Sequence, residues 1–184
     1  MSDRHTTRCW NILAMSRVMR SLIVAVTAAV LFVSLQACSK EPRSGELKAE
    51  QMTANLSAYN HTPDYIHQYY VNDQGGGNSF AYGGGGSFSC CIIYPATWRP
   101  ALVAKVRWTT SSSDPNATGD GATEKWHELN VPIERYVEPG TTLNVHFLPD
   151  GKVRLVISSK SAGHPQYEGP EAPVKPADFP FQRN

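Results

Sequence analysis

The sequence predicts an all-β domain, built as a compact antiparallel sandwich or a partly closed barrel of about seven strands. Gly and Pro are plentiful, at 14 and 13 of the 184 residues. Short segments alternate between apolar and polar residues and are separated by turn residues. Apart from one apolar run near the N-terminus, no segment has the periodicity of an amphipathic helix. We therefore expect each sheet to bury one face and to expose the other.

Seven segments carry this strand pattern. Pro132, in the fifth, indicates an edge strand or a strand end, because proline lacks the N–H that a ladder requires. The clearest element is a hairpin around Pro149-Asp150-Gly151, where proline sets φ for the first turn position and glycine accepts a positive φ. The segments are 54–60, 65–72, 87–94, 101–110, 125–133, 142–148 and 152–158.

The predicted β-rich domain covers residues 54–160, and a Pro-rich segment over residues 161–184 follows it. Proline disfavours pairing into ladders because it has no backbone donor. We therefore expect an extended, irregular tail that lies against the domain or leaves it.

A lipoprotein signal peptide is predicted over residues 1–37. Arg17 and Arg20 form its positive region, and residues 21–34 form an apolar run. This run is shorter than the about 20 residues that a membrane-spanning helix needs. Leu35-Gln36-Ala37-Cys38 then has the pattern of a lipobox, in which small Ala37 admits the peptidase and the Cys38 thiol accepts a diacylglyceryl group.

Cys38 is therefore the predicted lipid attachment site, and residues 38–53 are the predicted tether. A diacylglyceryl group together with an N-acyl group holds a protein stably at a membrane. Ser39, in place of an aspartate, favours the outer membrane, with the domain facing the periplasm. The alternative is an ordinary signal peptide or short anchor with an incidental cysteine. Met15 and Met19 are alternative starts of translation to Met1, because the residues before Met15 do not resemble a positive region.

The charge of the chain argues against nucleic acid and anionic lipid as partners. The whole chain is formally +1 at pH 7, and the four Arg and one Asp of residues 1–37 contribute +3. The predicted mature chain is therefore −2, whereas those partners require a basic surface.

No motif for catalysis or metal binding stands out. The histidines are scattered without metal-ligand spacing, and no nucleophile is coupled to a base. The glycine clusters at 75–77 and 83–86 lack the lysine and the following helix of a phosphate-binding loop. We expect tight bends or close approaches of the backbone there, and we expect no enzyme activity, metal or cofactor.

Cys90 and Cys91 leave two alternatives open. Neighbouring residues on a regular strand point to opposite faces, so a disulfide between them requires a distorted backbone, and such a bond would be easily reduced. The oxidising periplasm favours this vicinal disulfide. The alternative is a pair of small side chains in a core strand.

Aromatic residues crowd the first two thirds of the predicted domain. Most should lie in the core, but exposed Tyr, Trp and Arg also form the hot spots of protein interfaces. Aromatic strands beside glycine loops are typical of a binding module. The residues are Tyr59, Tyr65, Tyr69, Tyr70, Tyr82, Trp98, Trp108 and Trp126.

A series of motifs runs in order through roughly residues 54–158. They are Tyr59-Asn60-His61-Thr62, Tyr65-Ile66-His67, Val71-Asn72, Gly75-Gly76-Gly77-Asn78, Gly84-Gly85-Gly86-Ser87, Cys90-Cys91, Trp98-Arg99-Pro100, Val106-Arg107-Trp108, His146-Phe147 and Pro149-Asp150-Gly151. Together they resemble a proteobacterial lipoprotein family known as domain of unknown function 3304.

The resemblance implies a function in binding, since some members are encoded beside phospholipase effectors of type VI secretion as their presumed immunity proteins. We therefore expect an inert, lipid-anchored protein that binds and inhibits such a phospholipase. One alternative is an envelope lipoprotein with a structural or assembly role and a housekeeping partner. Another is a thiol-based redox-responsive or metal-responsive protein that uses Cys90-Cys91. The residues expected at the partner-binding surface are Tyr65, His67, Tyr69, Gly76, Gly85, Trp98 and Arg99.

Overall fold

Two four-stranded β-sheets form the described part of the chain, which in this computed structural model is residues 50–180. Sheet A has the strand order β4-β1-β7-β8, and sheet B has the order β3-β2-β5-β6. The strands are β1 (Gln51–Asn60), β2 (Tyr65–Val71), β3 (Gln74–Gly75), β4 (Ser89–Pro95), β5 (Val103–Ser111), β6 (Lys125–Pro132), β7 (Thr142–Phe147) and β8 (Val153–Ser158). The predicted all-β class is confirmed, and the two sheets form a sandwich rather than a closed barrel.

The seven predicted segments correspond to β1, β2 and β4 to β8, and the two-residue β3 is an addition. The sandwich is not purely antiparallel, because β1 and β7 pair in parallel, from Asn55 opposite Thr142 to Asn60 opposite Phe147. A parallel neighbour requires a long crossover, and the whole of sheet B lies between these two strands in the chain. β1 also begins at Gln51, within the predicted tether.

The predicted signal peptide, the predicted lipid attachment site Cys38 and the tether as far as residue 49 lie outside the described residues. Lys48–Asn184 forms one compact unit of the chain, and the core described below lies within it. Across residues 50–180, no helix is long and apolar enough to span a bilayer.

The core forms where the inner faces of the two sheets meet. Phe147 of sheet A contacts two rings of sheet B, with its centroid 5.7 Å from that of Tyr69 and 5.5 Å from that of Trp108. All three side chains are at most 5% exposed. Aromatic contacts of this kind add about 0.5–1.5 kcal/mol per pair to the burial of the rings. They hold the sheets face to face.

Strand direction distinguishes the two ends of the sandwich. The entry end holds the start of β1 and the connection 96–102, since Gln51 pairs with Pro95. The far end holds the turn 61–64, the connection 112–124 and the hairpin turn between β7 and β8. Loops at one end are thus separated from loops at the other by the length of the strands.

The predicted hairpin is present, but its turn differs from the expected one. Asp150 and Gly151 both have positive φ, 61° and 69°, as the central pair of a type I′ turn does. Pro149 precedes this pair instead of occupying the first central position, and its carbonyl accepts a hydrogen bond from the Lys152 amide. Type I′ turns match the twist of the two strands, and they require a positive φ at both central residues. Asp and Gly are among the residues that adopt this conformation most readily, which explains why they occupy the centre of the turn.

β7 is buried on both faces, because the C-terminal segment lies over the outer side of sheet A. The Tyr167 hydroxyl lies 2.6 Å from His146 Nε2, and the Ala162 amide donates to the Tyr59 hydroxyl at 3.1 Å. Phe179 continues the contact by packing edge-on against Tyr82. The described part of the Pro-rich segment therefore lies against the domain.

His146 is the buried centre of this contact. Its ring is fully buried and stacks on Tyr59 at 4.7 Å, and its Nδ1 lies 3.0 Å from His61 Nε2. Burial, reinforced by His61 and by Arg154, lowers the pKa of His146 to about 3. Burial also lowers the pKa of His61. Arg154 itself is held by two hydrogen bonds to Glu134. Both histidines are therefore neutral at physiological pH.

We expect these histidines to make the fold sensitive to acid. Their folded-state pKa values lie below the ordinary 6.5, so at low pH the unfolded chain binds more protons than the folded chain. Stability is therefore complete above pH 6.5 and declines as the pH falls toward 3, with His146 contributing on the order of 4 kcal/mol over that range. Urea unfolding between pH 7 and pH 4 measures this slope.

The matched variants are His146→Gln and His164→Gln, since His164 is exposed. His146→Gln should flatten the pH dependence and His164→Gln should leave it as in the native chain. Equal slopes in the native protein and His146→Gln would contradict the assignment.

Candidate functional site

The outer face of sheet B is the sheet surface that carries exposed aromatic and charged side chains. It consists of the side chains of β2, β5 and β6 that point away from the core. A β-bulge in β2, where the register shifts between Ile66 and Gln68, places His67 and Gln68 on the same side and reverses the alternation beyond them. Tyr70 consequently points outward and Tyr69 inward.

Four side chains at the middle of this face form the Trp126 cluster, namely Tyr70, Arg107, Trp126 and Glu128. Trp126 is 52% exposed, and its ring stacks with Tyr70 at 6.3 Å. The Arg107 guanidinium lies 5.0 Å from the Trp126 ring centroid and its Nε lies 3.4 Å from Glu128 Oε2. The pairing of β2, β5 and β6 aligns these residues, since Tyr70 is opposite Arg107 and Arg107 is opposite Glu128.

Two of the predicted partner-binding residues lie on the same outer face, nearer the far end. Tyr65 packs edge-on against His67 at 4.6 Å, and its hydroxyl accepts a hydrogen bond from the Asn78 side chain. His67 lies between Ser111 Oγ at 2.8 Å and Glu124 Oε1 at 3.4 Å. Both side chains are half-buried. They extend the outer face beyond the Trp126 cluster.

Tyr69 and Gly76, also predicted at the partner-binding surface, lie beneath that surface instead. Tyr69 is 2% exposed, and burial raises the pKa of its hydroxyl above the ordinary value. Gly76 covers its ring so closely that a Cβ at residue 76 would overlap Tyr69. Tyr69 is therefore a core side chain, sent inward by the bulge, and Gly76 makes room for its ring.

Gly85 likewise lies within the domain, where its main chain packs closely against the Tyr59 ring. Its φ is +77°, and a Cβ there would lie 2.6 Å from the Tyr59 ring. Its amide donates to the Ala58 carbonyl at 2.8 Å, next to the bridge between Tyr59 and Gly84. The connection between β3 and β4, which carries these glycines, therefore crosses from sheet B and packs against β1 of sheet A.

Trp98 and Arg99 lie at the entry end, away from Tyr65 and His67. The Trp98 indole donates to the Ile133 carbonyl at 3.0 Å and packs against the core, whereas Arg99 is exposed. Tyr65 begins β2 at the far end, and seven strand residues span roughly 20 Å. The predicted residues therefore do not form one continuous surface.

Cys90 and Cys91 are joined by a disulfide at the start of β4. Cys90 is exposed and Cys91 is half-buried, so the pair does not belong to the core. Across residues 50–180, no group of three or more His, Cys, Asp and Glu side chains is placed to hold a metal ion.

Sequence reasoning did not single out the Trp126 cluster as a site. The alternation along β5 does place Lys105 and Arg107 on one face, opposite Val106 and Trp108. This alternation indicates that one face of β5 is exposed to solvent, but it does not reveal which residues of β2 and β6 lie beside Arg107. The outward orientation of Tyr70 depends on the bulge.

Gly76→Ala should destabilise the domain, because the added methyl group must displace the buried Tyr69 ring. We expect a loss of about 1–3 kcal/mol in the free energy of unfolding, as for overpacking elsewhere. Gly86→Ala is the matched control, since nothing lies within 4 Å of the Cβ position there. Urea unfolding measures both, and equal stabilities for the two variants would contradict the close packing at Gly76.

Comparison with known proteins identifies one family. Its model, described as protein of unknown function (DUF3304), matches residues 59–155, which include β2 to β7 and the whole Trp126 cluster. No curated protein and no solved structure matches the chain. Because the match spans more than half of the 184 residues, the chain belongs to the DUF3304 family.

Proposed function

We propose that this protein is a lipid-anchored binding protein of the outer membrane, facing the periplasm, and that it is an immunity protein that inhibits a secreted phospholipase. The Trp126 cluster is the observation that carries the proposal. It presents Trp, Tyr and Arg together, and these are the residue types that dominate the energetics of protein interfaces.

The cluster is suited to binding because its side chains are already held in place. Arg107 lies over the Trp126 ring and pairs with Glu128, and Tyr70 donates a hydrogen bond to Gln68 at 2.9 Å. Side chains that are ordered before binding lose less conformational entropy when a partner docks. A half-exposed Trp whose ring is already held in place supplies a large apolar contact with little loss of conformational entropy on binding.

The size of the face indicates how much of an interface it supplies. Three long strands spaced about 4.8 Å apart, each roughly 25 Å long, give a face of about 350 Å². A standard interface buries about 800 Å² on each partner. The remaining contact area would come from loops that border the outer face, such as the far-end connection 112–124.

Anchoring supports inhibition at a membrane. The predicted lipid attachment site Cys38 precedes the first strand residue, Gln51, by 13 positions, which at full extension span about 45 Å. A phospholipase acts at the membrane surface, and a tether of this length concentrates the inhibitor there. Binding that occludes the active site or the membrane-docking face of the enzyme suffices for inhibition.

Trp126→Ala and Arg107→Ala test the proposal. Each should weaken the complex with the phospholipase that the proposal assigns as its target by roughly 30-fold or more, as expected of hot-spot residues. Both side chains are on the surface, so the free energy of unfolding should change by less than about 1 kcal/mol. Titration calorimetry and phospholipase inhibition by the purified protein measure the effect.

Val174→Ala is the matched control, because Val174 is an exposed apolar residue of the C-terminal segment. Native inhibition by both cluster variants would remove the outer face as the binding site. Failure of the native protein to capture and inhibit the enzyme would contradict the immunity function. Capture of an envelope assembly component in its place would support the structural alternative.

A further inference from the structure

Three side chains on the outer face of sheet B form a constellation to which the proposed function gives no chemical role. His67 Nε2 lies 2.8 Å from Ser111 Oγ, and His67 Nδ1 lies 3.4 Å from Glu124 Oε1. A hydroxyl at one ring nitrogen and a carboxylate at the other is the arrangement by which a histidine activates a serine as a nucleophile. We call Ser111, His67 and Glu124 together the Ser111 triad.

The fold brings the triad together from separate parts of the chain. His67 and Ser111 are 44 positions apart, which explains why no nucleophile coupled to a base was evident in the sequence. The bulge in β2 places His67 on the outer face, and bulges are frequent beside active sites because they redirect side chains. Ser111 is the last residue of β5, and Glu124 immediately precedes β6. These two strands pair along their length, so both ends of the connection between them meet at the His67 ring.

The Glu124 carboxylate favours the tautomer of His67 that activation requires. An ionised carboxylate only accepts hydrogen bonds, so the imidazole proton is favoured on Nδ1, and Nε2 is left as the acceptor for the Ser111 hydroxyl. This hydroxyl also lies 3.3 Å from the Ser112 carbonyl oxygen, and the shorter distance to Nε2 favours the bond to the imidazole. Tyr65 packs edge-on against the His67 ring at 4.6 Å and supports its orientation.

A second imidazole–hydroxyl pair, between β5 and β6, provides an internal comparison. His127 Nε2 lies 2.8 Å from Thr110 Oγ1, and the His127 ring is stacked on Trp108 at 5.0 Å. Among the described residues, no carboxylate forms an ion pair with His127. The Ser111 triad is therefore distinguished by its third member, which a structural contact between a hydroxyl and an imidazole does not require.

The triad is accessible to a small molecule from solvent. The side chains of His67 and Glu124 are 30% and 44% exposed, and Ser111 is half-buried. A small ester can therefore approach the Ser111 hydroxyl at the surface of the sheet. Glu124 places a negative charge beside the nucleophile, which repels an anionic acyl group. The class of substrate that fits is thus an uncharged ester.

We propose that Ser111 is a catalytic nucleophile that accepts the acyl group of an uncharged carboxylic ester. Ser111 Oγ attacks the carbonyl carbon while His67 Nε2 takes the hydroxyl proton. The bond between the carbonyl carbon and the leaving oxygen then breaks, and His67 returns the proton to that oxygen. An alcohol departs and the acyl group remains on Ser111 Oγ. Glu124 is a positioning residue, which holds the tautomer and stabilises the imidazolium that forms.

The ester probe is p-nitrophenyl acetate, whose acetyl group is small and uncharged. The purified native protein should release p-nitrophenol in a burst and carry an acetyl group on Ser111, located by mass spectrometry of its peptides. Mono-p-nitrophenyl succinate, which presents a carboxylate, should react roughly threefold or more slowly. Acetylation without preference for Ser111 would overturn the nucleophile, and an equal rate for the succinate would overturn the uncharged class of substrate.

Variants of the triad assign the three roles. Ser111→Ala should abolish the burst. His67→Gln should slow acetylation of Ser111 by about 100-fold or more, since a general base contributes roughly 10²–10⁴-fold. Glu124→Gln should slow it by about tenfold or more, because a neutral amide no longer favours one tautomer or stabilises the imidazolium. A native rate in His67→Gln would overturn the imidazole as the base, and a native rate in Glu124→Gln would overturn its positioning role.

The matched controls are Ser113→Ala and His127→Gln. Ser113 lies two positions beyond Ser111, and its hydroxyl donates to the Pro63 carbonyl at 2.6 Å, whereas His127 is the imidazole without a carboxylate. Both variants should be acetylated at Ser111 at the native rate. The pattern in the native protein tests the nucleophile by itself, so the proposal stays falsifiable if a variant does not fold. The reaction requires no partner protein, and its outcome is therefore independent of the Trp126 cluster.

Discussion

The burial of β7 on both faces is the constraint on which the rest of the structure depends. On its inner side, Phe147 joins the two sheets through Tyr69 and Trp108. On its outer side, His146 is stacked on Tyr59 and covered by the C-terminal segment. Sheet A is therefore an interior layer over much of its area. The outer face of sheet B remains as the sheet surface that the described chain leaves open to a partner.

The bulge in β2 decides what that open face carries. Strict alternation from Tyr65 and His67 would continue outward with Tyr69. The extra residue reverses the alternation, so Tyr70 joins Arg107 and Trp126 on the surface, while Tyr69 enters the core and packs against Phe147. One inserted residue thus decides which of two neighbouring tyrosines lies on the surface and which lies in the core.

The positions of the strands were predictable because the alternation of apolar and polar residues along a strand can be recognised from neighbouring residues alone. The hairpin at Asp150-Gly151 and the edge position of Pro132 follow from single-residue chemistry, and both are present in the structure. The parallel pairing of β1 with β7 was not predictable, since it depends on contacts between residues almost ninety positions apart. The same limit applies to the site. Tyr70, Arg107 and Trp126 come from three strands, and only the register between those strands makes them neighbours.

The covered face of sheet A is largely polar, with Ser57, Asn144 and His146 among its buried residues. If the covering segment were shorter, water would solvate these groups, whereas a bare apolar face would aggregate. The C-terminal segment therefore shields hydrogen-bonding groups, rather than apolar surface, from water. The family match ends at residue 155, before this segment begins. The match thus spans β2 to β7, with the last two residues of β1 and the first three of β8, and it does not include the cover over sheet A.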